Sequence, residues 1–288
     1  MVGSVILNSR FVTGGNHILV LTPGATQKKY WGDMWAFREL FFILAWRDVS
    51  VRYKQTVIGV FWAILRPLLT MIVFTIVFSK VAGLPSSGNA PYALMVLSGM
   101  LPWTLFSSSL GDASNSLISN ANLISKVYFP RMIITSASMI VAVVDFSLSF
   151  LVLLLMMFFF QYWSGWQILL TPVFVLLVVL ASLGPSLLIS SLNVKYRDFR
   201  YIMPFVMQLG IYVSPVGFSS DLIPDEWRLI YSINPMVGII DGFRWCILGG
   251  DSPFYWPSLA ISLIVIVFFL ALGVWVFRSN EKAFADMI

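Results

Sequence analysis

The stretch from Trp46 to Phe78 constrains this chain more than any other. It reads WRDVSVRYKQ and then TVIGVFWAILRPLLTMIVFTIVF. The first part is a dense polar patch with Arg47, Asp48, Arg52, Lys54 and Gln55. The second is an apolar run long enough to cross a bilayer, since about 20 helical residues at ~1.5 Å each span the roughly 30 Å hydrocarbon core. Lys and Arg abutting a span mark its cytoplasmic end, so the chain enters the membrane here from the inside. Arg66-Pro67 then sits within the span. An arginine is costly in lipid, and a proline frees a backbone carbonyl. A span that only anchors carries neither.

Five further apolar runs make the protein an all-α polytopic membrane protein with six transmembrane helices. The spans are expected at about 58–81, 92–117, 133–160, 168–192, 201–217 and 256–277. The fifth is short and is interrupted by Pro204 and Pro215. Composition agrees: 59% of the 288 residues are hydrophobic and 11% charged, where a soluble domain carries about a quarter charged. Six spans put both termini on one side. Of the 18 Lys and Arg, fourteen fall in the segments then assigned to the inside. Only Lys80, Arg228 and Arg244 fall outside, and Arg66 lies within a span. This asymmetry gives an N-in, C-in topology and accounts for the net charge of +5 without nucleic acid.

Several chemistries are excluded. One cysteine, Cys246, permits no intrachain disulfide, and one histidine, His17, leaves no His-based metal site or triad. No GxxxxGK[ST] phosphate loop occurs, so ATP is not bound by that device.

Residues 1–32 are expected to form a cytoplasmic N-terminal arm whose short apolar runs are broken by Gly14-Gly15 and Pro23-Gly24. From Asp33, a good N-cap, residues 33–55 take on a helical pattern with Phe37, Phe41 and Leu44 on one face. This segment is too polar to span and reads as an amphipathic helix lying on the inner membrane surface. Residues 278–288 form a cytoplasmic tail. Between the fifth and sixth spans, residues 219–255 hold two apolar helical stretches separated by Asn234-Pro235. Neither reaches across, and with Trp227, Trp245, Tyr255 and Trp256 they read as a re-entrant hairpin in the outer leaflet.

Polar residues inside the spans fall on single helix faces. Trp62, Arg66 and Thr70 are spaced i, i+4, i+8, and Tyr201, Phe205, Gln208 and Tyr212 follow i, i+4, i+7, i+11. Aromatic rings stack on sugar faces, and Gln208 and the tyrosine hydroxyls can meet sugar hydroxyls, so these two stripes are candidates for a translocation pathway. Arg66 has two readings: it snorkels to the inner interface, or it faces the pathway as a cation near phosphate. Ser108, Asp112, Asn115 and Ser119 share the second stripe's spacing and fit helix–helix hydrogen bonding. Asp145, mid-span among Phe and Val, reads as a buried hydrogen-bonding partner. The inner loops NANLISKVYFPR (120–131) and NVKYRDFRY (193–201) each hold aromatics flanked by cations. Each is either an ordinary basic turn or a docking element with exposed Tyr128, Phe129, Tyr196 and Phe199 as anchors.

The blocks RDVSVRYKQTVIGVFWAILRPLLTMIVF, SNANLISKVYFPR, LNVKYRDFRY and NPMVGIIDGFRW resemble the permease subunit of ABC-2 type polysaccharide exporters. The O-antigen, capsule and teichoic-acid permeases form that group, and the resemblance spans roughly Gly32 to Arg278. It implies a homodimer in the bacterial inner membrane that moves a lipid-linked polysaccharide of the O-antigen kind. Two copies of a cytoplasmic ATPase subunit would bind the ATP and Mg, with no cofactor on this chain. It assigns the two inner loops as coupling helices: Lys126, Tyr128, Phe129 and Arg131 in the first, Lys195, Tyr196, Arg197, Asp198 and Phe199 in the second. It also places Asn234, Pro235, Asp241 and Arg244 in an exit hairpin, where the family usually has Glu at the position of Asp241. A permease for capsule or teichoic acid is the first alternative, and a drug or lipid exporter of the same architecture the second. A membrane glycosyltransferase or ATP-independent flippase would need clustered acids, and only Asp112 and Asp145 lie inside spans.

Overall fold

The computed structural model describes residues 30–284 apart from 55, 56, 87, 89, 197, 251, 253, 282 and 283, with backbone alone at 57–60 and 63. The regular structure among these residues is helical: α1 (Tyr30–Ala36), α2 (Arg38–Lys54), α3 (Val57–Phe74), α4 (Tyr92–Ser119), α5 (Ala121–Lys126), α6 (Met132–Phe159), α7 (Thr171–Lys195), α8 (Phe199–Val213), α9 (Asp225–Tyr231), α10 (Pro235–Ile247) and α11 (Trp256–Asn280). The end of α3 continues as a π-helix over Thr75–Val81, and a 3-10 turn, Trp166–Leu170, leads into α7. Five segments are long and apolar enough to cross a membrane: Ile64–Val81, α4, α6, Trp166–Lys195 and α11. The expected fifth span is shorter than 201–217. α8 ends at Val213, where Ser214 turns extended ahead of Pro215. Its 15 residues reach about 22 Å at ~1.5 Å each.

α4 is the hub. It packs on α6, α7, α10, α3 and α8, and 78% of its span is buried, against 11% for the first span and 17% for α11. α3 and α11 are correspondingly exposed, and α8 joins them with Tyr201, Phe205, Leu209 and Tyr212 facing outward. α7 and α11 meet backbone to backbone at Gly184 and Gly273: a Cβ on Gly273 would stand 2.2 Å from the Gly184 carbonyl oxygen. Without a large water-driven term between helices, such close contact is what holds membrane helices together.

A second hydrophobic cluster closes the end of the bundle where α2, α5 and the C-terminal ends of α4 and α11 meet. Leu44, Leu117, Ile124, Phe129, Ile133, Phe277 and Phe284 are buried there. Phe37 and Phe41 pack on it beside Leu44, as their shared face requires. Two details of the surface helix differ from expectation. It is already helical at Tyr30, three residues before Asp33, where Tyr30 and Met34 pack on this cluster. It also breaks at Phe37, leaving α1 and α2 as separate pieces. α2 is apolar on both sides, with Phe42, Ile43 and Trp46 exposed opposite Leu44 and Ala45. The expected arm lies outside the described residues up to residue 29.

Candidate functional site

An open cavity of about 670 Å³ lies between α3, α4, α6 and α8. Trp62, Arg66 and Thr70 all line it, as their i, i+4, i+8 spacing demands. Thr70 donates its hydroxyl back to the Arg66 carbonyl at 2.9 Å, the usual way a membrane helix satisfies a threonine. Arg66 is exposed and takes part in none of the ion pairs found among the described residues. Gln208 and Tyr212 supply the facing wall, and Tyr212 stacks on Phe74 with ring centroids 6.1 Å apart. The other half of that stripe separates from it. Tyr201 and Phe205 are exposed, 78% and 60%, but do not line the cavity. α8 borders the cavity only from Pro204 onward, and through the flank bearing Met207 and Ile211.

One edge of the cavity is ionic. Arg52, near the end of α2, reaches Asp145 on α6 at 2.7 Å and Asp112 on α4 at 3.3 Å. The Tyr53 hydroxyl donates to the same Asp145 carboxylate. Asp145 is thus a satisfied hydrogen-bonding partner, as its setting in the sequence suggests. Its side chain nonetheless borders the cavity and stays 19% exposed. Two members of the second-span stripe bond to their own helix rather than across to a neighbour as expected, while Asp112 takes Arg52. Asn115 donates to the Gly111 carbonyl at 3.1 Å and Ser119 to that of Asn115 at 3.1 Å.

The two loops differ from expectation in which aromatics they show. The chain is extended after α5, with Val127 at φ −129° and ψ 135°. Successive side chains there point to opposite sides. Tyr128 is therefore 44% exposed while Phe129 is 3% exposed, inside the second cluster. Phe129 is a core residue and not an outward anchor. Lys126 is exposed. Arg131 is engaged within the chain: its backbone N–H donates to the Glu281 carboxylate at 2.9 Å, its guanidinium donates to the Glu281 carbonyl, and it lies over the Phe284 ring. In the other loop Tyr196 is 49% exposed and Lys195 stands 5.1 Å over its ring. Asp198 is exposed, Phe199 turns inward against the main core, and Arg197 lies outside the described residues.

Asn234 and Pro235 start α10 as cap and first residue. The Asn234 side chain accepts from the Met236 N–H at 3.0 Å and donates to Ser214 at 3.0 Å. Arg244 is wholly buried. It donates to three carbonyls just beyond α8: Pro215 at 2.7 Å, Phe218 at 3.2 Å and Val216 at 3.3 Å. Asp241, one turn earlier and also buried, lies 3.9 Å away. Gly99 makes room for this guanidinium, since a Cβ there would stand 2.5 Å from it. Arg244 so ties α10 to the end of α8, a role no local pattern announced. Sequence reading also missed Tyr30 and Glu281, which join the two ends of the chain at 3.2 Å.

Residues 39–248 match the model of the ABC-2 type transporter family. Among curated proteins, the chain is similar to an O-antigen export system permease protein RfbA of Myxococcus xanthus. The two are 27% identical over 258 residues, covering 89% of this chain and 98% of that relative. Two proteins of the same name from Klebsiella pneumoniae are 27% and 25% identical, each covering 87% of this chain and 95% of the relative.

Proposed function

This chain belongs to the ABC-2 type transporter family, and we propose that it is the membrane-spanning subunit of an ATP-driven exporter of a lipid-linked polysaccharide of the O-antigen kind. The observation that carries this reading is the cavity wall. Trp62, Arg66, Thr70, Gln208 and Tyr212 converge there, so aromatic faces, hydrogen-bonding groups and a guanidinium in no ion pair among the described residues meet in one place. Sugars stack on the first, bond to the second and bring phosphate to the third. The relatives named as O-antigen export permeases support the same substrate class.

The full arrangement we infer is a homodimer of six-span subunits in the inner membrane, N-in and C-in, with α8 as the fifth span. α1 and α2 lie along the inner surface, and α9 and α10 form the re-entrant hairpin outside. Exposed Trp62 and Phe61 on α3 and Tyr201 and Phe205 on α8 support a face shared with the second copy. ATP and Mg belong to two separate ATPase subunits, which dock on Lys126 and Tyr128 of one loop and Lys195, Tyr196 and Asp198 of the other. Capsular polysaccharide and teichoic acid fit the same cavity chemistry.

The test is co-reconstitution with the partner ATPase in vesicles holding a polyprenyl-diphosphate-linked polysaccharide. Transfer of the glycan to the far leaflet, read by lectin accessibility, is expected only with ATP. Transfer of an apolar dye with no movement of glycan would replace this reading with a drug exporter.

A further inference from the structure

The end of the chain folds back over the start of α6. Glu281 follows α11 directly and accepts two hydrogen bonds on one carboxylate oxygen, from the Tyr30 hydroxyl at 3.2 Å and the Arg131 backbone N–H at 2.9 Å. Its own carbonyl accepts from the Arg131 guanidinium. Two cations flank the knot: Arg278 lies 4.9 Å over the Tyr30 ring and Arg131 lies 5.9 Å over the Phe284 ring. Beneath it Phe277 and Phe284 meet edge to face at 5.2 Å, both buried in the cluster that also holds Ile124 and Phe129. Three segments, separated by 150 and 251 residues in sequence, are thus fixed at one point.

The position of this point gives it a role. Arg131 closes the loop that begins with α5 and precedes the first residue of α6. The leading turn of a helix carries unpaired N–H groups and a partial positive charge, so an acceptor held there sets where the helix starts. α6 then runs to Asp145 at the cavity edge. The loop is therefore bolted on one side to α6, and through it to the cavity, and on the other to the end of α11.

We propose that Glu281 is a positioning residue for energy coupling: it holds the α5–α6 loop in fixed register with α11, so that force on the loop's exposed face reaches α6. This rests on the reading of that loop as an ATPase-docking element. Burial raises the Glu281 carboxyl above its ordinary range, against the pull of the Arg131 N–H and the Tyr30 hydroxyl. Both side-chain bonds are ones the carboxylate accepts on a single oxygen, so a neutral acceptor of the same shape will serve.

The experiment uses the chain with its ATPase partner in vesicles and reads glycan moved per ATP hydrolysed. Glu281→Ala leaves two donors unpaired and is expected to lower that ratio roughly five- to thirty-fold, with ATP turnover retained. Glu281→Gln keeps the acceptor oxygen and is expected to restore the ratio to near the unaltered value. Tyr30→Phe removes a single hydroxyl, spares assembly and should lower the ratio by a smaller factor in the same direction. A Gln variant as defective as Ala overturns the acceptor role, and an unchanged ratio in both Glu281→Ala and Tyr30→Phe overturns the proposal. Should Glu281→Ala fail to assemble, Tyr30→Phe decides alone. Tyr128→Ala, run alongside, separates the premises. If it weakens ATPase co-purification while the Glu281 and Tyr30 variants stay coupled, the clasp falls and docking stands. If it changes nothing in co-purification or ratio, the docking reading falls and the clasp's role falls with it.

Discussion

Two arginines, each facing an aspartate from the next helical turn or the neighbouring helix, are handled in opposite ways. Arg52 at the cavity edge reaches Asp112 and Asp145 with side chains 45%, 42% and 19% exposed. Arg244 in the hairpin is fully buried with Asp241 and holds three backbone carbonyls. A solvated ion pair is weak, about 0–1 kcal/mol, and exchanges partners cheaply. A desolvated one is costly to form and more costly to break. The same chemistry therefore yields an adjustable contact beside the cavity and a fixed joint at the hairpin.

The contrast is most exposed to test at Arg244. Arg244→Ala strands Asp241 and three carbonyls, and should destabilise the detergent-solubilised protein by about 3–5 kcal/mol, read as a large fall in unfolding temperature. Pairing Arg244→Met with Asp241→Leu should regain only the part owed to the stranded carboxylate, because the three carbonyls stay without a donor. If Arg244→Ala melts no earlier than Arg52→Ala, the fixed joint is not there.

A smaller effect concerns the split stripe of α8. Tyr212→Ala or Gln208→Ala should slow glycan export several-fold, on the scale of one stacking or hydrogen-bonding contact of about 1 kcal/mol. Tyr201→Ala should act less, since it lies off the cavity. Equal defects at Tyr201 and Tyr212 in the vesicle assay would mean that the second copy completes the wall around both.

Arg66 separates its two readings in that assay. As a phosphate-facing cation it predicts a damaging Arg66→Gln and an intermediate Arg66→Lys, which keeps charge without the planar fork. As a snorkelling residue it predicts that both are tolerated.

The smallest change in stability is expected at the adjustable contact. Arg52→Gln should cost less than Arg244→Ala in the same melting experiment, since Arg52 and Asp112 stay about half exposed and Asp145 keeps the Tyr53 hydroxyl. A loss as large as that of Arg244→Ala would erase the distinction between the two sites.

Much of the helical plan was legible in the sequence because apolar length and the position of Pro and Asn are local signals. α4, α6, α7 and α11 begin and end within a few residues of where the hydrophobic runs do, and Asn234-Pro235 opens α10 as such a pair should. The face of Trp62, Arg66 and Thr70 followed from spacing alone. What stayed hidden was set at a distance. Phe129 turns inward because Phe277 and Phe284, far along the chain, build a cluster beneath it. Tyr201 and Phe205 share a face with Tyr212, yet periodicity cannot say how much of a helix borders a cavity. Arg244, in the sequence only one of the few cations outside the spans, is fixed by Gly99 on another helix, which leaves room for its guanidinium.

The burial of α4 bears on how the protein is made. The helix at the centre of the bundle is also the least apolar of the five long spans, so it enters the membrane with the smallest driving force and must wait there for α6 and α7. Several of its serines are suited to that wait. Ser98 donates to the Met95 carbonyl at 2.8 Å and Ser116 to that of Ala113 at 2.7 Å, and Ser114 bonds back to Leu110. In lipid each polar group must find a partner within the segment itself, and these find theirs before any neighbour arrives. Assembly then adds interhelical bonds, such as Asn193 of α7 to the Ser114 carbonyl at 2.8 Å. The hub of the finished protein can therefore be synthesised and inserted ahead of the helices that cover it.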